Sequence, residues 1–137
     1  MAKDPITCHV LDTTTGRPAK ALRVRLEGGA SPPKTFESST DDDGRIRTWL
    51  PYSSDTSAGE VPVYTLDDVL GQLDDGAFST WTLRFDTAAY WAGNGKQQHE
   101  TATFFPEVVV VFRVDKGQHY HVPLLLGPFS YTTYRGS

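Results

Sequence analysis

The sequence has a single cysteine, Cys8, among its 137 residues. An intrachain disulfide is therefore excluded, and a reducing compartment is the simple inference. A free cysteine is usually buried, so Cys8 reads as a small core residue rather than a nucleophile. No run approaches the ~18 apolar residues that a membrane-spanning helix needs. The opening Met1-Ala2-Lys3-Asp4-Pro5 lacks an apolar signal region. Positive charge is not in excess. The net charge is −4, which gives a nucleic-acid partner no electrostatic support. No repeat, low-complexity tract or linker divides the chain, so one domain over residues 1–137 is expected. That length can bury a core without metal or disulfide.

What is present is alternation. Ile6-Thr7-Cys8-His9-Val10-Leu11-Asp12 puts Ile6, Cys8 and Val10 on one face and Thr7, His9 and Leu11 on the other. Leu22 to Leu26 alternates strictly, with arginines on its wet face. Thr35 to Thr40 reads as a short strand. Asp41-Asp42-Asp43-Gly44 signals a tight turn, and Ile46 to Leu50 reads as the strand after it. Pro51 to Gly76 is rich in loop residues, although Thr65 can cap one helical turn. Thr80 to Phe85 alternates again. Asp86 to Gly93 has a capping aspartate, helix-forming alanines and a closing glycine, so it predicts a two-turn helix. Glu107 to Val114 is the most strand-like run, and Asp115-Lys116-Gly117 reads as a hairpin turn. About eight short strands, one short helix and regular turns predict an all-β, antiparallel β-sandwich.

The residues from Gly117 to Ser137 organise the rest. Tyr120, Val122, Leu124 and Leu126 share one face, assigned to the core; His119, His121, Pro123 and Leu125 share the other. A face that mixes imidazoles with leucine suits a partly enclosed groove or an interface. A solvent-facing strand with incidental histidines is the bland alternative. Gly127-Pro128 turns the chain into a last strand, Tyr131 to Tyr134, and Tyr134-Arg135-Gly136-Ser137 follows without a polar spacer.

Several of these segments resemble one family. They are Cys8-His9-Val10-Leu11-Asp12, Gly16-Arg17-Pro18-Ala19, Asp43-Gly44-Arg45, the Asp86-Thr87 helix start with Tyr90-Trp91, Tyr120 to Leu126, and Tyr134-Arg135-Gly136-Ser137. Together they are similar to the 5-hydroxyisourate hydrolases, the transthyretin-like enzymes of urate breakdown. Pro51 to Gly76 is longer than that family leads one to expect. The resemblance implies a transthyretin-like (prealbumin-like) sandwich assembled as a homotetramer, a dimer of dimers with sites in the channel where the dimers meet. It implies catalytic positions at His9, Arg45 and His121, with Tyr134, Arg135, Gly136 and Ser137 lining the same site and binding substrate. No cofactor or metal is implied.

The implied reaction is hydrolysis of a cyclic amide in 5-hydroxyisourate to 2-oxo-4-hydroxy-4-carboxy-5-ureidoimidazoline. Water needs a base at neutral pH, and histidine titrates in the right range. The residues do not say which histidine is the base. Arginine supplies a permanent positive fork for an oxyanion. Arg45 has a plainer reading as a partner of the Asp41-Asp42-Asp43 run. A His119-x-His121 zinc site with His9 lacks a supporting carboxylate or cysteine pattern. His99 lies in a polar stretch and reads as solvated. Trp49, Trp81 and Trp91 form either packing residues or a sugar platform. A non-catalytic carrier of small ligands on the same fold is the competing function. Histidine and arginine at the three positions favour the enzyme. The cytoplasm is the expected setting by default, with the peroxisome kept as the alternative although its ending Ser-Lys-Leu is not seen.

Overall fold

In the computed structural model the described residues are 3–29, 33–52, 65–72, 78–93 and 103–136. The alternation at residues 6–12 becomes strand β1 (Ile6–Asp12), in which Ile6, Cys8, Val10 and Asp12 are buried. Next come β2 (Arg17–Pro18), β3 (Arg23–Gly28), β4 (Lys34–Ser39), β5 (Arg45–Ile46) and β6 (Leu50–Pro51). Helix α1 (Leu66–Gly71) precedes β7 (Phe78–Phe85), and α2 (Thr87–Gly93) precedes β8 (Val108–Asp115). Strands β9 (Tyr120–Leu126) and β10 (Tyr131–Thr133) complete the order.

Two sheets result. One runs β10-β9-β1-β2, with β5 also paired to β1; the other runs β6-β4-β3-β7-β8. Their inner faces close around Trp81, Trp91, Phe36, Phe85 and Leu26, each essentially inaccessible to solvent. A buried side chain of this size contributes about 1.5–3 kcal/mol. The predicted β-sandwich is therefore present, with four refinements.

First, β1 and β9 run parallel, with Cys8 beside Val122 and Val10 beside Leu124. The chain visits the other sheet between them, so no hairpin constrains their direction. Second, Ile46 to Leu50 is not one strand. Ile46 stays in the first sheet as part of β5, and Leu50 begins β6 in the second. Trp49 is buried between them, its indole Nε1 donating to the Ile6 carbonyl at 2.8 Å. The buried positions Ile46 and Trp49 are three apart, which breaks a strand's two-residue period. Third, Asp115-Lys116-Gly117 joins β8 to β9 in different sheets, so it is a crossover turn rather than a hairpin. Fourth, the helical turn behind Thr65 is a second helix. Thr65 and Asp68 form a reciprocal capping box, with each side chain accepting from the other's N–H, at 3.1 and 3.0 Å.

At the far end of β1, buried Asp12 accepts from the Tyr90 hydroxyl at 2.6 Å and from the Thr14 N–H at 2.8 Å. This ties α2 to the β1–β2 turn. No described helix is long and apolar enough to cross a membrane.

Candidate active site

Three strands of the first sheet carry the candidate residues. His9 lies in β1, Arg45 in β5 and His121 in β9. The antiparallel β1–β5 register puts His9 opposite Arg45. On the other side of β1, the parallel register puts His121 opposite Thr7. Thr7 and His9 share the outer face of β1 because Cys8, between them, is buried inward. Two residues along a strand span about 7 Å, so three strands bring imidazole, guanidinium and imidazole onto one patch.

Arg45 is delivered by a turn that only glycine permits. Asp41 Oδ1 accepts from the N–H groups of Asp43 and Arg45, each at 2.9 Å. The Gly44 N–H donates to the Asp41 carbonyl at 2.9 Å, and the Val10 N–H donates to the Gly44 carbonyl at 2.8 Å. Gly44 has φ +73°, and a Cβ there would lie 2.5 Å from the Val10 carbonyl oxygen. The Arg45 N–H, above all, holds the Asp41 carboxyl below its usual range. Among the described residues, Arg45 forms no ion pair with Asp41, Asp42 or Asp43. The aspartate run serves the turn, and the guanidinium points to the site.

His121 is half-buried and held on two sides. Its Nδ1 lies 2.8 Å from the Thr7 hydroxyl. The Gly136 N–H donates to the His121 carbonyl at 2.8 Å, so the segment after β10 folds back onto β9. A Cβ on Gly136 would come within 2.7 Å of the His121 ring carbon Cδ2. Burial first, then the positive charges of Arg45, His9 and Lys3, push the His121 pKa below 6.5. The ring is therefore neutral, and able to accept a proton, at neutral pH.

Three cavities reach this ring, and two of them also include Arg135. The larger, about 620 Å³, is lined by Lys3, Asp4, Thr7, Arg45, His121 and Arg135, among others. The smaller, about 330 Å³, includes Phe112, Tyr120, Tyr134 and Arg135 beside His121. The Arg135 guanidinium stacks 4.6 Å above the Tyr120 ring. Burial raises the Asp4 carboxyl, whose Oδ2 accepts from the Trp49 N–H at 2.7 Å.

Arg45, His121, Arg135 and Gly136 line the larger cavity, and Tyr134 lines the smaller one. His9 flanks them through Arg45. Ser137 and His99 lie outside the described residues. His119 is exposed beside the larger cavity. Among the described residues, no three His, Cys, Asp or Glu side chains converge as metal ligands. Trp49, Trp81 and Trp91 are all buried, which removes the sugar-platform reading. Cys8 is fully buried, and burial pushes its thiol up to about 12, so it stays protonated. Thr7, Lys3 and Asp4 escaped the sequence reading. For Thr7 the signal was available, since it shares the face of His9.

Fold and site together define a transthyretin-like β-sandwich with a basic, imidazole-bearing cleft on one sheet. The family model described as Transthyretin, HIUase/Transthyretin family, matches residues 6–136. The chain belongs to the HIUase/Transthyretin family. A Mus musculus protein named 5-hydroxyisourate hydrolase is 39% identical over 138 residues, covering 97% of this chain and 95% of that one. A Schizosaccharomyces pombe protein named probable 5-hydroxyisourate hydrolase is 35% identical over 137 residues, covering 96% and 90%. The solved structure of Klebsiella pneumoniae 5-hydroxyisourate hydrolase aligns with TM-score 0.63 at 26% identity, covering 96% of this chain and 98% of that one.

Proposed function

We propose that this protein hydrolyses 5-hydroxyisourate to 2-oxo-4-hydroxy-4-carboxy-5-ureidoimidazoline, a step of urate degradation. The observation that carries the reading is that Arg45 and His121 line one cavity, with His9 opposite Arg45 in the register of the strand between them. His121, kept neutral, takes a proton from water. The water oxygen bonds to the cyclic amide carbon, and the carbonyl electrons move onto oxygen. Arg45 stabilises that oxyanion. As the tetrahedral species collapses, the ring C–N bond breaks and the leaving nitrogen receives a proton. His9 orients water or supplies that proton. Arg135 and Lys3 complement the carboxylate that the reaction creates.

The lining of imidazole, guanidinium and ammonium groups favours a polar, reacting ligand over the apolar cargo of a carrier. Cys8 is not used, and water is the nucleophile in this reading. We further propose that residues 1–137 act as one domain, that four copies associate as a dimer of dimers, and that the reaction takes place in the cytosol. The tetramer would cover Leu125 and Tyr134, which are 36% and 58% exposed in the single chain. The test is the ultraviolet decay of freshly generated 5-hydroxyisourate with and without protein. Acceleration that saturates with substrate supports the reading; decay at the buffer rate overturns it.

A further inference from the structure

We propose that Thr7 is a positioning residue that holds His121 as the Nδ1–H tautomer, making Nε2 the proton acceptor. The proposal rests on the hydrolytic reading of the same site and assigns which ring nitrogen does the work. Its basis is a short chain of contacts. The Thr7 hydroxyl lies 2.8 Å from His121 Nδ1 and 3.5 Å from the Tyr120 carbonyl oxygen. A carbonyl can only accept. With the hydroxyl proton directed to Tyr120, a lone pair of Oγ1 faces the ring, and the 2.8 Å contact is then an Nδ1–H to Oγ1 hydrogen bond. The hydrogen bond made by one imidazole nitrogen sets the role of the other.

The backbone makes this arrangement durable. Thr7 and His121 are register partners in the parallel β1–β9 pair, so their spacing is set by the ladder. On the other flank, Gly136 packs against Cδ2 and limits rotation of the ring. Among the described residues, Thr7 is the side chain that hydrogen-bonds this imidazole. The charged groups around it are Lys3, Asp4, Arg45, Arg47, Arg135 and His119, with Arg113 and Asp115 on the β8 side and His9 two residues along β1. When Nε2 accepts the proton from water, the ring becomes a cation and its Nδ1–H becomes a stronger donor. The bond to Thr7 therefore tightens along the reaction coordinate. An interaction that strengthens in the transition state raises kcat rather than lowering KM.

The test compares Thr7→Val, which keeps the branched shape, with Thr7→Ser, which keeps the hydroxyl. Turnover is measured across pH, and the ¹⁵N shifts of the His121 ring are read in the intact protein. The expected result for Thr7→Val is a kcat loss of about tenfold to a hundredfold, the usual size for losing a partner that orients a functional histidine, with KM nearly unchanged and the ring shifting towards the Nε2–H form. Thr7→Ser should restore most of kcat and the Nδ1–H signature. A wild-type ring that is mainly Nε2–H would overturn the proposal, as would unchanged kcat and tautomer in folded Thr7→Val. If the wild-type protein does not hydrolyse 5-hydroxyisourate, the functional reading fails, while the ring spectra still decide the tautomer.

Discussion

His9 and Arg45 face each other across a two-residue strand pair. That contact exists because Gly44 presses its carbonyl against the Val10 N–H. An imidazole and a guanidinium thereby share one patch, and among the described residues the three aspartates that precede Arg45 form no ion pair with it.

Gly44→Ala should disturb both stability and activity. The backbone is left-handed here, and the new methyl would collide with main-chain oxygen rather than a yielding side chain. Left-handed strain alone costs about 1–3 kcal/mol. A lower melting temperature, with turnover reduced more than the unfolded fraction explains, is the expected outcome. A variant with wild-type melting and turnover would show that Arg45 does not depend on this turn.

The pH dependence follows from His121. Its pKa in the folded protein lies below 6.5, mainly through burial and then through Arg45. The rate should fall as pH drops through that lowered value, as the proposed base becomes protonated. Stability follows the same sign. Between the folded and unfolded pKa values the unfolded chain binds more protons, so stability rises with pH and this contribution is complete above about 6.5. Arg45→Gln removes a nearby positive charge and should raise the His121 pKa in an NMR titration. A pKa that stays put or falls would contradict the assigned coupling.

Gly136→Ala probes the other flank of the ring. The added carbon meets His121 Cδ2 at 2.7 Å and Pro123 Cγ at 3.0 Å. One of these must move, and the proline ring is stiff. Reduced kcat with little change in melting temperature is expected. Unchanged kinetics would mean that the segment after β10 has slack.

Truncation after Thr133 removes the Gly136–His121 bridge and the Arg135–Tyr120 stack together. Solvated tails can usually be trimmed without harm. Here the loss of turnover should be large while β10 keeps its pairing with β9. Light scattering and the ultraviolet assay, run side by side, separate loss of assembly from loss of chemistry. A truncated protein with full activity would remove Tyr134 to Ser137 from the site.

Tyr90→Phe serves as a control remote from the chemistry. It deletes a donor to the buried Asp12 carboxylate. Leaving a buried acceptor short of one partner costs about 1–3 kcal/mol. Denaturant midpoints should shift, while kcat measured well below the transition should hold.

Much of the site was legible because side-chain alternation and turn chemistry are local. The two-residue period alone put His9 and His121 outward and Tyr120, Val122 and Leu124 inward. Asp-Gly marked the turn that delivers Arg45. What stayed hidden is long-range. Alternation is the same in parallel and antiparallel strands, so the parallel β1–β9 pair left no trace in the sequence pattern. The sheet change between Ile46 and Leu50 depends on Trp49 finding the Ile6 carbonyl, a partner 43 residues away. The Thr7–His121 contact needed the register of two strands whose order in the sheet was unknown.

The β1–β9 ladder has a temporal consequence. Thr7 and His121 are 114 residues apart, so their meeting closes one of the longest loops in the chain. Loops of that kind are entropically costly and form slowly. A refolding sample should therefore regain tryptophan burial before it regains turnover. The lag between the two signals would time the arrival of β9 beside β1, making catalysis a clock for completion of the fold.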